Sequence, residues 1–381
     1  MSTTGPRIAI VGAGIGGLAA AHLLLKQGFN VTVYEQASRF ARVGAGIQQS
    51  PNVMKVHRGL GIEKRLRETA FAPRTSLNRD AITGDTTNEF PLGKEVEERY
   101  GAPFLAMHRG DLHAALADLV PADKIALNRK LKRIDQDGSS ASLFFEDGER
   151  NDVDAVIAAD GVHSLIRDYI VGPEQPRFTG RVAYRTTFPV SLLKNVDIGL
   201  SRTKWWGPDR HIVIYFTTAN RDEVYFVTST PEKADWMTRE SWSTKGDLGE
   251  LQEAFKTFHP DVRAVLAAAP EVHKWGIFER DPLPHWTRGN MTLLGDACHP
   301  MTPYMASGAA MALEDAVILS RCLEGATRQE MNERFKSYEA TRLPRCSAVQ
   351  AGSSANNWMR NATNPDWLYG YDAWTAPLEN S

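Results

Sequence analysis

The chain is poor in cysteine, with three among its 381 residues. Cys298, Cys322 and Cys346 are an odd number at unrelated spacings, which fits neither a framework of disulfides nor the paired ligands of a zinc site. Free thiols persist where the compartment is reducing. The scarcity of cysteine therefore argues against a disulfide-stapled secreted domain and favours the cytoplasm.

The sequence also lacks an excess of charge of either sign, with a formal net charge of −2. Proteins that bind nucleic acid or an anionic membrane usually carry a marked positive excess, so neither partner is expected. Residues 8–25 are apolar enough to imitate a signal peptide, but only Arg7 precedes them as a positive charge and no cleavage pattern of small residues follows. We expect no targeting or membrane segment, and a cytoplasmic location.

Internal repeats and low-complexity segments are absent, and the strongest local pattern is a glycine cluster near the start. Residues 8–11 suit a buried parallel strand and run into Gly12-x-Gly14-x-x-Gly17, then into a helical pattern and a second strand that ends at Glu35. These glycines allow a tight turn, close approach of the backbone to a pyrophosphate, and close packing of helix on strand. Glu35 is placed to accept hydrogen bonds from a ribose. The stretch predicts a dinucleotide site.

The length of the chain suggests two or so domains, and two kinds of pattern alternate along it. Helices are predicted over residues 53–66, with an interruption near Gly59 and Gly61, and over 246–268 and 306–324. Another is predicted to begin at Asp111 as its N-cap. Residues 180–230 instead alternate with a period of two, which is typical of antiparallel strands. The chain therefore leaves the nucleotide-binding domain for a sheet domain and returns, so the domains are expected to be discontinuous.

Three motifs stand in a fixed order along the chain. They are Gly12-x-Gly14-x-x-Gly17 with Glu35, Asp160-Gly161-x-x-Ser164-x-x-Arg167, and Gly295-Asp296-Ala297-x-His299-Pro300. This set resembles the single-component (class A) FAD-dependent aromatic hydroxylases, the family of 4-hydroxybenzoate and salicylate hydroxylases, over essentially the whole chain. Finer segments, such as Lys204-Trp-Trp and Tyr369-Gly-Tyr-Asp, are similar to the branch of the 6-hydroxynicotinate 3-monooxygenases.

The resemblance implies an α/β fold. A Rossmann-type FAD-binding domain is expected with a discontinuous second domain of largely antiparallel β-sheet plus helices. The expected boundaries are 1–72, 101–178 and 276–345 for the FAD-binding domain, 73–100 and 179–275 for the substrate-binding domain, and 346–381 for an aromatic-rich C-terminal tail packed on the body.

The resemblance also implies which residues hold FAD, and no metal site. These residues are Gly12, Gly14, Gly17, Glu35, Gly46, Arg109, Asp160, Asp296, Pro300, Gly308 and Ala309. Asp296 follows a predicted strand and can accept from a ribityl hydroxyl, while a helix that starts at Gly308 can bring N–H groups to the flavin ring. No second GxGxxG followed by an acid occurs in the sequence. NADH or NADPH is therefore expected to bind transiently as the electron donor, without a Rossmann domain of its own.

The substrate site is expected on one predicted strand. His211, Val213 and Tyr215 occupy alternate positions, so their side chains share one face. An imidazole and a phenol in a closed pocket could bind a carboxylate or ring oxygen and help to deprotonate a substrate hydroxyl. Plainer alternatives are that His211 is a turn residue satisfied by Asp209 and that Tyr215 belongs to the core.

Three further residues complete the expected site and depart from the pattern of the branch. Arg202 is the expected partner of a substrate carboxylate if it points inward, although surface exposure is the commoner fate of an arginine. Tyr304 is expected to line the same cavity. Gln48 and Tyr304 stand where the branch is expected to have histidines, and Arg202 near an expected cysteine. Gln and Tyr can still hydrogen-bond a hydroxypyridine, but neither titrates near neutral pH.

We therefore expect an FAD monooxygenase that uses NAD(P)H and O2, through a flavin hydroperoxide, to hydroxylate a small hydroxylated aromatic acid. The expected substrate is 6-hydroxynicotinate or 6-hydroxypicolinate, hydroxylated at C3, and the changes at 48, 202 and 304 favour the second. The alternatives are a salicylate- or hydroxybenzoate-type hydroxylase, a flavin oxidase or dehydrogenase that works without NAD(P)H, and a flavin-regulated binding protein. A monomer or a homodimer is expected.

Overall fold

The computed structural model describes residues 5–42, 45–137, 140–194, 196–233, 244–361 and 363–379. Its strands are β1 (Arg7–Val11), β2 (Asn30–Tyr34), β3 (Gly46–Gln49), β4 (Thr75–Asp80), β5 (Thr86–Pro91), β6 (Leu105–His108), β7 (Ile125–Ala126), β8 (Leu131–Asp137), β9 (Ser140–Phe145), β10 (Arg150–Val153), β11 (Ala155–Ala158), β12 (Arg177–Pro189), β13 (Arg202–Trp206), β14 (His211–Phe216), β15 (Glu223–Pro231), β16 (His273–Glu279), β17 (Thr287–Arg288) and β18 (Met291–Leu293).

The helices lie between and after these strands. They are α1 (Ile15–Lys26), α2 (Pro51–Leu60), α3 (Glu63–Thr69), α4 (Lys94–Tyr100), α5 (Arg109–Ala117), α6 (Leu165–Val171), α7 (Leu248–Ala254), α8 (Pro260–Ala268), α9 (Gly308–Cys322), α10 (Met331–Ser354) and α11 (Asp366–Tyr369). Short 3-10 turns lie at Ala122–Lys124, Gly161–His163, Val190–Leu192, Gly295–Ala297, Pro303–Met305 and Arg328–Glu330.

A six-stranded sheet in the order β17-β18-β11-β1-β2-β7 contains the glycine-rich start of the chain. Its strands run parallel except for β17, which pairs antiparallel with β18. Strand β1 lies inside this sheet and is buried from Ile8 onward, as a parallel strand covered on both faces must be. Helices α1 and α9 pack on each other beside it. This is the expected Rossmann-type layer.

The second large sheet has seven strands in the order β16-β12-β15-β14-β13-β4-β5. All neighbours are antiparallel except β13 and β4, which are parallel. Its central strands come from the region of period-two alternation, and β4 and β5 come from the earlier excursion of the chain. The expected fold class, with a largely antiparallel second sheet, is confirmed.

Two helix predictions from the sequence are wrong. Helix α5 starts two residues before Asp111, and its N-cap is His108, whose Nδ1 accepts from the Gly110 N–H. The Asp111 carboxylate instead accepts a hydrogen bond from Arg42 Nε at 2.8 Å. Because it forms this ion pair, it does not cap the helix. The single helix predicted over residues 246–268 is two helices, α7 and α8, because His259 caps the second and Pro260 starts it.

The end of the chain folds back onto the body. Helix α10 runs through Pro344 without ending, so the predicted boundary at residue 346 falls inside it. Beyond the helix, Tyr369 is buried and the Trp374 indole donates to the Lys55 carbonyl at 3.1 Å. Among the described residues, no helix is both long and apolar enough for a transmembrane span.

Candidate active site

The glycine-rich turn between β1 and α1 is closed by backbone contacts. Gly12 has φ +104°, a conformation that side chains disfavour, and a Cβ there would meet the Ala159 carbonyl oxygen at 2.2 Å. A Cβ on Gly17 would meet the Gly12 carbonyl oxygen at 2.1 Å. A Cβ on Gly14 would meet nothing within 4 Å. Two of the glycines therefore allow close packing, and the third faces open space at the helix start.

Two acids predicted to bind the cofactor bond to the backbone around this turn. The Glu35 carboxylate accepts from the N–H groups of Ala13 at 2.9 Å and Ala37 at 2.8 Å. Asp160 accepts from the Leu165 N–H at 3.1 Å, which is the role of a turn acid at the start of α6. Burial raises the pKa of Asp160, and hydrogen bonds from Ser164 and nearby backbone act against this. Both acids therefore hold the backbone of neighbouring turns in place through hydrogen bonds.

A cavity of about 370 Å³ opens in front of Gly14 and extends to the seven-stranded sheet. Ten of the residues predicted for cofactor or substrate line it: Gly14, Gly17, Gly46, Gln48, Arg109, Tyr215, Asp296, Pro300, Gly308 and Ala309. They come from five separate parts of the chain. We call this space the main cavity.

Two charged side chains in the main cavity have free bonding capacity. The Asp296 carboxylate and the Arg109 guanidinium line the wall and form no hydrogen bond with the described part of the chain. Burial raises the pKa of Asp296, while His299 and Arg109 act in the opposite direction. A carboxylate acceptor, a guanidinium donor and the start of α1, which no side chain caps, suit the hydroxyl and phosphate groups of a dinucleotide.

A smaller chamber of about 10 Å³ adjoins the main cavity and shares Gln48 and Ala306 with it. We call it the side chamber; its volume is that of roughly one water molecule. Arg202 lines it, is 7% exposed, and donates from Nη1 to the Ser76 hydroxyl at 2.6 Å. Its Nε is buried and has no hydrogen-bond partner among the described residues. Tyr369 from the C-terminal tail also lines it.

Tyr215 lies on the wall of the main cavity, as the sequence predicts. Burial raises the pKa of its hydroxyl well above 10, with Tyr225 acting in the same direction and Gln48 and Arg202 opposing it. The phenol is therefore neutral at neutral pH and can donate a hydrogen bond. It is not a base by itself.

His211 and Tyr304 lie outside the lining of both the main cavity and the side chamber. The His211 ring packs between Trp206 and Tyr304, with centroid distances of 4.9 Å and 5.8 Å. The prediction that Tyr304 lines the cavity is corrected, because its hydroxyl turns to the Ser229 hydroxyl at 3.0 Å. Burial and nearby cations lower the pKa of His211 well below its ordinary value, so the imidazole is a neutral, weak base.

Comparison with known proteins fits this geometry. The model of a family described as FAD binding domain matches residues 6–353. A 6-hydroxynicotinate 3-monooxygenase of Bordetella bronchiseptica is 46% identical over 98% of this chain and 97% of its own length. Its counterpart from Pseudomonas fluorescens is 45% identical, again over 98% of this chain and 97% of its own. The chain belongs to the FAD-dependent aromatic hydroxylases.

The hydroxylase is accordingly an FAD-dependent monooxygenase that uses NAD(P)H and O2. Klebsiella pneumoniae HpxO, solved with FAD and uric acid, superimposes with a TM-score of 0.82 at 25% identity and covers 93% of this chain and 88% of that one. A salicylate hydroxylase in complex with substrate superimposes with a TM-score of 0.83 at 23% identity, over 98% and 97% of the two chains. At that identity the second likeness shows the shared fold.

A buried charged network that the sequence did not predict lies beside the loop of Asp296. Asp315 accepts from the Gly295 N–H at 3.1 Å, from His299 Nε2 at 2.6 Å and from Arg342 Nε at 2.7 Å. Burial raises the pKa of Asp315, but the two cations outweigh it and hold that pKa at about 2. The adjacent acids Glu314 and Asp315 within a mostly apolar helix were the available signal in the sequence, because acids that are buried need charged or hydrogen-bonding partners.

Several residues of the seven-stranded sheet also line the main cavity without having been predicted. They include Arg185 on β12, Tyr225 on β15 and Trp275 on β16. The Tyr215 and Tyr225 rings lie 5.1 Å apart, and the Arg185 guanidinium lies 4.3 Å from the Trp275 ring centroid. Only strand pairing brings these positions together, so no local pattern could have identified them.

Proposed function

We propose that this hydroxylase acts on a hydroxylated pyridine carboxylate, with 6-hydroxynicotinate and 6-hydroxypicolinate as the leading candidates for hydroxylation at C3. The observation that supports this most is Arg202, whose buried side chain lines the side chamber together with Gln48, while Tyr215 lines the adjoining main cavity. A planar guanidinium is the usual protein partner of a carboxylate. The relatives at 45–46% identity are named for 6-hydroxynicotinate, which supports the same substrate class.

In this proposal the cofactor occupies the main cavity. Gly14 and Gly17 would admit its pyrophosphate, Arg109 and Asp296 would bind its phosphate and ribityl groups, and Pro300, Gly308 and Ala309, with Gly46 opposite, would lie at the ring. Bound FAD would supply the redox chemistry, by accepting a hydride from NAD(P)H and activating O2 for transfer of one oxygen atom. The apolar wall of Val227, Trp275 and Ile277 would exclude water from that step.

Tyr215 would orient the substrate and favour its ionised form. A ring bound beside Gln48 with its carboxylate at Arg202 would place a ring oxygen within the part of the main cavity that Tyr215 lines. Since the Tyr215 hydroxyl is neutral, it would donate a hydrogen bond to that oxygen and stabilise negative charge there. Negative charge on the oxygen raises the nucleophilicity of the ring carbons ortho and para to it.

We propose the predicted division into an FAD-binding and a substrate-binding domain as the domain structure, without the boundary at residue 346, because helix α10 continues through it. Strands of the six-stranded sheet fall within 1–72, 101–178 and 276–345. Those of the seven-stranded sheet fall within 73–100 and 179–275, apart from the first two residues of β12 and the last four of β16. The substrate would bind where the two sheets face each other across the main cavity.

The test measures substrate-dependent oxidation of NADH and NADPH by the FAD-loaded enzyme, together with analysis of the products. The substrate panel contains hydroxylated pyridine carboxylates, hydroxylated benzoates, and hydroxypyridines that lack the carboxylate. We expect a hydroxypyridine carboxylate to give the highest kcat/KM. Arg202→Met should lower kcat/KM for that acid by about 10- to 100-fold and leave the poor activity on its decarboxylated analogue unchanged. Preference for a benzoate would favour the hydroxybenzoate alternative, and flavin reduction by substrate without NAD(P)H would reject a monooxygenase.

Tyr215→Phe should lower kcat/KM for the best panel substrate by about 100-fold, the usual effect of removing one donor to a developing oxyanion. Tyr184→Phe is the matched control, because Tyr184 is also a buried tyrosine of this sheet but bonds to Glu250 on the other face. Its kcat/KM should stay near wild type. Steady-state kinetics and the ratio of product to NAD(P)H consumed measure both variants, and a Tyr215→Phe enzyme as active as Tyr184→Phe would contradict the role.

A further inference from the structure

Two lysines are buried in the seven-stranded sheet, and their surroundings differ. Lys274 on β16 forms ion pairs with Glu232 at 2.7 Å and Glu250 at 3.1 Å. Burial lowers its pKa, but these acids and Tyr184 outweigh the burial and raise that pKa overall. Its charge is thus matched within the protein, as buried charges normally are.

Lys204 on β13 is 3% exposed and has no acidic partner among the described residues. Its Nζ lies 3.8 Å from the centroid of the Trp206 ring. Burial, and then the cations Arg202, Arg360 and Arg181, lower its pKa well below 10.5. Apart from the face of the Trp206 ring, no described group stabilises a positive charge at this position.

The neighbours of Lys204 are cationic or neutral. Arg202 is two residues away on the same strand, so both side chains point to the face that carries Tyr215 and His211 on β14. Arg181 comes from β12, and Arg360 from the tail lies 4.8 Å from the Trp206 ring. In the described part of the chain, no aspartate or glutamate forms an ion pair with any of these cations. A cluster of this kind lacks an anion.

We propose that Lys204 is a second anion-binding residue of the substrate site, which joins Arg202 on the substrate carboxylate. This inference rests on the proposed function and adds to it the role of Lys204 and the protonation of its amine. The four-carbon stem of lysine lets Nζ move from the Trp206 ring toward the side chamber. Burial and the neighbouring cations disfavour the charged amine in the free enzyme, and the arriving carboxylate favours it. Lys204 therefore takes up one proton from solvent when the substrate binds.

The experiment is calorimetric titration of the FAD-loaded enzyme with 6-hydroxynicotinate and 6-hydroxypicolinate near neutral pH, in two buffers of different ionisation enthalpy. The wild type should take up about one more proton per ligand bound than Lys204→Met, because Lys204 gains a proton while any ionisation of the substrate hydroxyl beside Tyr215 is common to both proteins. Lys204→Met should also weaken binding about 10- to 100-fold. Lys204→Arg, which is always charged, should bind the ligand without the additional proton.

Two controls separate this role from a structural one. Lys274→Met should lower the thermal midpoint of unfolding and leave affinity and proton uptake unchanged. Lys204→Met should unfold at or above the wild-type midpoint without ligand, because methionine fills the same space without a desolvated amine. Wild-type affinity and uptake in Lys204→Met would overturn the inference and leave the proposed function standing. Failure of the wild type to bind either acid or any aromatic acid of the panel would reject the proposed function, and the inference with it.

Discussion

Replacing Arg342 with methionine should lower the free energy of unfolding by about 3–5 kcal/mol, the usual cost of breaking a buried ion pair from one side. Arg342 is fully buried and donates to Asp315 at 2.7 Å and Glu314 at 2.8 Å. Glu314 keeps Arg345 as a partner and Asp315 keeps His299, but each loses its charge-assisted bond to the arginine. Denaturant unfolding of the FAD-loaded enzyme measures the change.

The control for this variant lies on the same helix. Arg334 forms an exposed i,i+4 ion pair with Glu330 at 3.4 Å, and such pairs contribute about 0.5 kcal/mol or less. Arg334→Met should therefore unfold close to wild type. Because Asp315 also holds the Gly295 N–H next to Asp296, Arg342→Met should in addition release FAD more readily. If the free energy of unfolding of Arg342→Met equals that of Arg334→Met within error, the ion pairs of Arg342 with Glu314 and Asp315 do not stabilise the fold.

The second large effect is expected from alanine at two glycines of the first turn. Gly17→Ala places a Cβ at 2.1 Å from the Gly12 carbonyl oxygen, so the turn must open. Overpacking of this kind costs about 1–3 kcal/mol of stability. Gly14→Ala meets no protein atom within 4 Å, so the FAD-free protein should unfold at the wild-type midpoint. Its methyl group nevertheless enters the space proposed for the pyrophosphate.

Both variants should bind FAD at least about 10-fold more weakly, a loss of roughly 1.4 kcal/mol or more. Flavin fluorescence on titration of the FAD-free protein gives the affinities, and thermal unfolding of that protein gives the stabilities. The two measurements separate the roles, since Gly17→Ala should fail in both and Gly14→Ala in affinity alone. Wild-type affinity in Gly14→Ala would mean that the dinucleotide does not pass close to this residue.

Much of the cofactor side of the molecule is predictable because its signals are local. The residues 8–17 form a strand, a turn and a helix start through their own apolar pattern and glycines, and the structure has them as β1 and α1. The order of the three motifs then suffices for the family, which the comparisons confirm. The wrong assignment of Asp111 as an N-cap came from a long-range ion pair with Arg42, which a local rule cannot include.

The substrate side depends on contacts between distant segments. Strands β4 and β13 are more than a hundred residues apart, yet their pairing sets Ser76 beside Arg202 and so fixes where that guanidinium lies. The sequence predicts that His211 and Tyr215 share a face, but it does not give their protonation, because burial and neighbouring cations determine both pKa values. Local pattern thus determined the fold class, the dinucleotide turn and the family. Only the tertiary structure decided which buried charged side chains have a partner of opposite charge, because that depends on which strands pair with each other.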